Sequence, residues 1–291
     1  MNININESGY RFEKHAYGRG LLEDGIDATY IIHLEGNGRY DHIQTQLCKH
    51  QPSKTVYIVF NKGYKTGLKP PYVNNPPRDL VDSNLQIFKH ADQHKYGNIL
   101  ILEDDYFFND IINDPIVCRD ITAFICARKD KPFLYTLGCL PFLSIPWSWS
   151  MNHYCTPFFA ATHACIFSKS YRIHILLDDH TIIWDWDQYT RIGFTYHQPI
   201  CYQTFPETEN KQHWGQEYES TLYFIVLICK NLLLYLKLDT QPEPGYSDIY
   251  AFSKAAFWFI LVYYYISAII LFLFLKCLVS SQTREATKND E

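Results

Sequence analysis

The 291-residue chain has no C-x-x-C pair, no excess of basic charge, no apolar stretch near its start and no internal repeat. Each absence removes a class of protein. Nine cysteines (Cys48, Cys118, Cys126, Cys139, Cys155, Cys165, Cys201, Cys229 and Cys277) are odd in number and dispersed. That spacing excludes a zinc-finger pattern, and it suits buried free thiols in a reducing compartment better than a disulfide framework. A formal net charge of -5 supplies no basic field, which sets nucleic acid aside as a partner. The opening "MNININESGYRFEKHAYGRG" is polar throughout, so no cleavable signal peptide is expected.

What the N-terminus lacks, the C-terminus has. "AAFWFILVYYYISAIILFLFL", Ala255 to Leu275, carries no charge and matches the roughly 20 residues needed to cross a bilayer core. Trp258 and three tyrosines lie toward its start, as interfacial belts do, with Lys254 before the stretch and Lys276 after it. The expectation is a single-pass C-terminal anchor carrying a cytosolic domain. A second apolar stretch, "LYFIVLICKNLLLYLKL", is broken by Lys230 and Asn231 and reads as an interfacial or protein-packed helix.

Upstream, short continuous runs rich in β-branched residues recur: "ATYIIHL" (28 to 34), "TVYIVF" (55 to 60), "NILIL" (98 to 102) and "FLYTLGCL" (133 to 140). Strands buried on both faces read this way. Helical patterns lie between them: "RYDHIQTQLCK" sets Tyr40, Ile43 and Leu47 on one face, and "DSNLQIFKHADQH" opens with a cap at Asp82 or Ser83. Alternation of strand and helix predicts an α/β fold with a mostly parallel, open sheet and flanking helices. The "NKGYKTGLKPPYVNNPPRD" stretch is a long Gly/Pro/Asn loop. The expected organisation is a polar segment over 1–26, a domain over 27–220, an amphipathic helix over 221–238, a linker over 239–253, a membrane helix over 254–279 and a polar tail.

Within "GNILILEDDYFF" three carboxylates, Glu103, Asp104 and Asp105, follow an apolar strand. Ligands of open α/β sheets bind beyond the carboxyl ends of the strands. Hard oxygen donors there suit Mg²⁺ or Mn²⁺ completed by a substrate's phosphates. The alternative is that the acids begin a helix over "DDYFFNDII", where first-turn carboxylates are favoured. A haloacid-dehalogenase-type phosphatase wants a nucleophilic Asp first in D-x-D, where this chain has Glu103.

"ILILEDD" closely resembles the "LILEDD" of glycosyltransferase family 25, the LPS- and procollagen-galactosyltransferase-like enzymes of GT-A fold. "ATYIIHLEGNGRYDHIQTQL", "AATHACIFSKSYRIHIL" and "WDWDQY" with "QPICYQ" are similar to further family segments in the same order, over roughly residues 28 to 215. "CYQTFPETENKQHWG" is of the sort found in glycosyltransferase-like proteins of large DNA viruses, which would place the anchor in a host membrane. His33 departs from the usual Asn, and "EGNGR" lacks the doubled arginines. The resemblance implies a GT-A-type, Rossmann-like domain and a Mn²⁺- or Mg²⁺-dependent transfer from a nucleotide sugar, such as a UDP-sugar, to a protein or glycan hydroxyl. It implies Asp105 as principal metal ligand, with Glu103 or Asp104 on metal-bound water or the donor ribose. His213 would complete the metal shell.

His33 to Arg39 would lie near the nucleotide, with Arg39 on phosphate or merely solvated. Asp79 and Asp82 become base or ribose contacts, although capping also explains Asp82. Thr162 and His163 would sit where donor and acceptor meet, unless His163 is structural. Asp185 and Asp187 beside tryptophans are both candidates for the general base; an exposed turn explains them equally. A non-catalytic, membrane-anchored module of the same fold that binds glycan or a partner is the competing function.

Overall fold

The computed structural model describes residues 9–289 apart from 129, 183–184, 190–191, 206–226 and 228–229. Seven strands form one mixed sheet in the order β1-β3-β2-β4-β7-β6-β8. They are β1 (Tyr10–Ala16), β2 (Ala28–Leu34), β3 (Thr55–Asn61), β4 (Ile99–Glu103), β6 (Leu134–Pro146), β7 (His153–Phe167) and β8 (Gly193–Tyr196). A separate pair joins β5 (Tyr106–Phe108) to β9 (Cys201–Gln203).

The centre is parallel as expected: β3, β2 and β4 run together, and their residues are almost all buried. The flanks are not. β7 runs antiparallel to β4 and to β6, and β1 adds antiparallel to β3. β1 falls inside the polar segment expected over 1–26. Its alternating burial and its charged Arg11, Glu13 and Lys14 suit an edge strand, where charge discourages pairing with another chain.

Helices cover both faces. α1 (Tyr40–Lys49) and α3 (Pro115–Cys126) pack Ile43, Leu47, Ile121 and Ile125 against Ile31, Ile58 and Leu102. On the other face α2 (Pro76–Gln93), α4 (Lys169–Leu177) and the short α5 (Trp186–Tyr189) bring Leu85, Phe88, Ile175 and Trp186 onto Tyr30, Ile101 and Phe167. α2 starts about two turns earlier than the cap at Asp82 or Ser83 would place it. The Asn75 side chain accepts from the Arg78 amide, and Pro76 and Pro77 occupy first-turn positions where no N–H is needed. Asp82 lies inside the helix, buried. The seven described cysteines are all free thiols.

The last helix, α6 (Gly245–Asn289), begins within the segment expected as a linker over 239–253. Tyr246, Tyr250 and Ser253, at i, i+4 and i+7, form a buried stripe. Tyr246 donates its hydroxyl to the Gln203 carbonyl, Tyr250 Oη meets Thr195 Oγ1 at 3.1 Å, and Ser253 Oγ meets Ser144 Oγ at 2.8 Å. Leu233 and Leu238, from the stretch expected as an amphipathic helix, pack beside Tyr246 and Ile249. Beyond Lys254 the described side chains are largely exposed apolar groups. Among the described residues one helix, over Gly245–Leu273, is long and apolar enough to cross a membrane.

Candidate active site

β2 leads through α1 to β3 on one side, whereas β3 leads through α2 to β4 on the other. The chain therefore reverses its progression between β2 and β4, and the crevice beyond those two strand ends is where such sheets bind ligands. Glu103 ends β4, and Asp104 and Asp105 turn directly into β5. No helix starts at the triplet, so the reading of these acids as a helix cap is corrected.

The three carboxylates have different surroundings. Asp104 is enclosed: its Oδ2 accepts from Asn37 Nδ2 at 2.5 Å and the Leu34 amide at 3.3 Å and lies 3.0 Å from His33 Nδ1, while Oδ1 accepts from an Arg39 Nη at 2.7 Å. Burial opposes its charge, yet these hydrogen bonds and the Arg39 charge together hold its pKa below the usual carboxylate range. The glycines of "EGNGR" make this cage possible, since Gly36 and Gly38 both take positive φ in the loop that returns Asn37 and Arg39 to Asp104.

Asp105 accepts from Gln203 Nε2 at 3.2 Å on both oxygens, and Arg39 is 3.7 Å away. Burial raises its pKa to about 6 against the pull of Arg39. At Glu103 burial, followed by the charges of Asp105, Asp187 and Asp104, raises the pKa well above its ordinary value. One arginine thus faces a group of acids whose charges repel, an arrangement that favours either shared protons or an added cation.

Asp187, on α5, is drawn to the same place. Its Oδ2 accepts from the Ala161 amide at 2.8 Å, and its Oδ1 accepts from the Thr162 amide at 3.1 Å and the Thr162 hydroxyl at 2.5 Å. Ala161 holds φ at +60°, which turns its amide and that of Thr162 toward one carboxylate. The charge of Asp187 bears on Glu103. Asp185 is partly buried just before α5.

Other expected residues are placed elsewhere. His163 is fully buried, with Nδ1 2.9 Å from the Ala161 carbonyl oxygen and Nε2 3.4 Å from that of Cys201. Both ring nitrogens face backbone carbonyl oxygens, which places the His163 ring between β7 and β9. Asp79 belongs to a closed cluster: the Lys69 ammonium bonds Asp79, Asn61 Oδ1 and Tyr10 Oη, with Asp82 3.8 Å away. That ion pair fastens the long loop after β3 onto α2 and leaves Asp79 engaged within the protein. Arg39 is at the centre, but it serves Asp104 and Asp105. His213 lies outside the described residues.

Sequence reasoning missed part of a neighbouring cleft of about 360 Å³, lined by Arg11, Glu13, His33, Glu35, Gly36, Tyr40 and Phe60. Arg11 lies 3.6 Å over the Phe60 ring, and His33, shared with the Asp104 cage, joins cleft to acids. What was missed is the part of its lining from β1, Arg11 and Glu13, whereas His33, Glu35 and Gly36 belong to the stretch expected near the nucleotide.

A divalent cation is tested by these groups. Asp104 does not fit it, because its oxygens are already enclosed. Glu103 and Asp105 do: they are hard oxygen donors deficient in positive charge. Among the described residues no group of three or more His, Cys, Asp or Glu converges on one point, so the protein would offer about two ligands and leave the rest to phosphate and water. Compared with family models and with curated proteins, the chain matches none.

Proposed function

We propose that this chain is a metal-dependent glycosyltransferase of GT-A type, anchored in a membrane by α6, that moves a sugar from a nucleotide sugar to a hydroxyl acceptor. The observation that carries the reading is the cation-deficient acid group, Glu103 with Asp105 and Asp187, at the reversal point of the sheet beside an aromatic cleft. The resemblance of "ILILEDD" and its companion segments to family 25 supports the same assignment.

In this reading Tyr40 offers a ring face to the base, Arg11 lies over Phe60 beside it, and His33 lines the wall between base and diphosphate. Glu103 and Asp105 would hold Mn²⁺ or Mg²⁺, and the cation would offset charge on the departing diphosphate. Arg39 keeps Asp104 ionised and locked, so that the loop of residues 35–39 keeps its shape when the diphosphate arrives. Asp187, oriented by three donors, takes the proton of the acceptor hydroxyl on a carboxylate oxygen as the acceptor oxygen bonds the anomeric carbon and the sugar–diphosphate bond breaks.

One observation favours the non-catalytic module instead: Asp104, the middle acid of the motif, is wholly engaged by the protein. Calorimetry with the full chain in detergent separates the two. UDP binding that requires Mn²⁺ and is lost in Asp105→Asn supports the transferase. Glycan binding without nucleotide binding, by UDP or any other nucleoside diphosphate, would replace it.

A further inference from the structure

The β6–β7 hairpin ends in the segment 141–151, "PFLSIPWSWSM", which contains no charged residue. Its tip is closed by the Trp147 amide donating to the His153 carbonyl at 2.9 Å and the Met151 amide donating to that of Ser148 at 3.1 Å. Trp149 is 99% exposed and Met151 is exposed, while Trp147, half exposed, packs edge-on against Phe194 with the Arg128 guanidinium 4.4 Å over its ring. A lone surface tryptophan needs no explanation, but three large apolar side chains on one uncharged turn form a patch.

The position of that turn relative to α6 decides what it faces. Along α6, Tyr250 meets Cys139, Ser253 meets Ser144, and Lys254 lies 5.7 Å from the ring of Tyr154, which pairs with Pro146. Helix and strand therefore advance together toward the hairpin tip. Lys254 Nζ donates to the His197 carbonyl at 2.8 Å, and the His197 amide donates to the Asn152 carbonyl at 2.8 Å. The residue before the uncharged run of α6 is thus two hydrogen bonds from the tip. Because Tyr246, Tyr250 and Ser253 hold the first turns of α6 on the domain, the domain cannot swing this turn away from the surface that α6 enters.

We propose that the tip of the β6–β7 hairpin, through Trp149 with Trp147 and Met151, inserts into the headgroup region of the bilayer that α6 crosses. The occupant is a lipid surface: tryptophan prefers the membrane–water boundary, where its ring meets acyl chains and its N–H stays wet. Two points of attachment, α6 and the hairpin, fix the orientation of the domain on the membrane. The proposal rests on the reading of α6 as a membrane anchor.

The test reconstitutes the full chain in phosphatidylcholine vesicles containing lipid brominated at acyl carbons 6 and 7 and reads tryptophan quenching. Trp258→Phe reports on α6 and Trp149→Phe on the hairpin; the exposure of Trp149 means that its replacement leaves the packing intact. The expected result is that Trp149→Phe removes quenched amplitude to within twofold of that removed by Trp258→Phe. Loss with Trp258→Phe and none with Trp149→Phe overturns the hairpin contact, leaves the anchor standing, and returns the patch to water or a soluble partner such as glycan. No loss with Trp258→Phe removes the anchor and the proposal with it.

Discussion

Replacing Lys69 by Met tests the most enclosed charge cluster in the domain. The Lys69 side chain is 1% exposed, with Asp79 on one side, Asp82 at 3.8 Å on the other, and Tyr10 Oη and Asn61 Oδ1 accepting its other hydrogen bonds. Burial pulls its pKa down, and the two aspartates pull it up. One unit charge at 3.8 Å is worth about 4 kcal/mol at an effective dielectric constant near 20. Methionine keeps much of the volume but leaves two buried carboxylates with no cation. Breaking a buried pair from one side costs about 3–5 kcal/mol. The expected outcome is that the unfolding free energy of the detergent-solubilised full chain, extrapolated from urea denaturation, falls by that amount. Adding Asp79→Asn to the variant should restore a large part of it, because one stranded charge is then gone. Asp79→Asn alone should leave nucleotide binding unchanged, since Asp79 is engaged by Lys69. A loss under about 1 kcal/mol for Lys69→Met, or no recovery in the double variant, would refute the cluster as described.

Further outcomes follow from single residues. His163 is held neutral by burial, with its pKa near 4 and an ordinary value of 6.5. The unfolded chain binds the proton first, so this group removes up to about 3 kcal/mol of stability as pH falls from about 6.5 to about 4; His163→Gln should flatten that part of a melting-temperature profile. Gly138→Ala would drive a methyl into the Cys201 carbonyl and the His163 ring, so it should separate β9 from β6 and leave little folded protein by near-UV circular dichroism. Arg172 donates to the carbonyls of Gly97, Phe167 and Tyr96 from a fully buried site. Arg172→Leu strands those acceptors and should cost about 3 kcal/mol or more in chemical denaturation.

Much of the centre of the domain was legible in the sequence, for a local reason. β2, β3 and β4 are buried on both faces, so each reads as an unbroken apolar run, and α1 shows its helical period. β6 was legible too, as "FLYTLGCL", and the strands that were missed are those whose apolar run is broken by charged or polar residues. β1 alternates charged and apolar residues at an edge, and β7 carries Thr156, Thr162 and His163 into buried positions that only tertiary hydrogen bonds satisfy. The start of α6 was masked by "QPEPG", although Tyr246, Tyr250 and Ser253 already had helical spacing.

The site divides in the same way. Carboxylates at a strand end can be read in one dimension. That Asp104 is caged by His33 and Arg39, that Asp79 is taken by Lys69, and that Asp187 bears on Glu103 all depend on which strands are neighbours. Those facts live in topology.

The central claim is that Glu103, Asp105 and Asp187 serve sugar transfer, and release of nucleoside diphosphate from a panel of nucleotide sugars tests it most directly. The full chain in lipid with Mn²⁺ should release diphosphate from at least one donor. Asp105→Asn and Asp187→Asn should each reduce that release by about a hundredfold or more, in line with loss of a charge-stabilising or proton-accepting group. Release that both variants sustain at the rate of the unaltered chain would contradict the account.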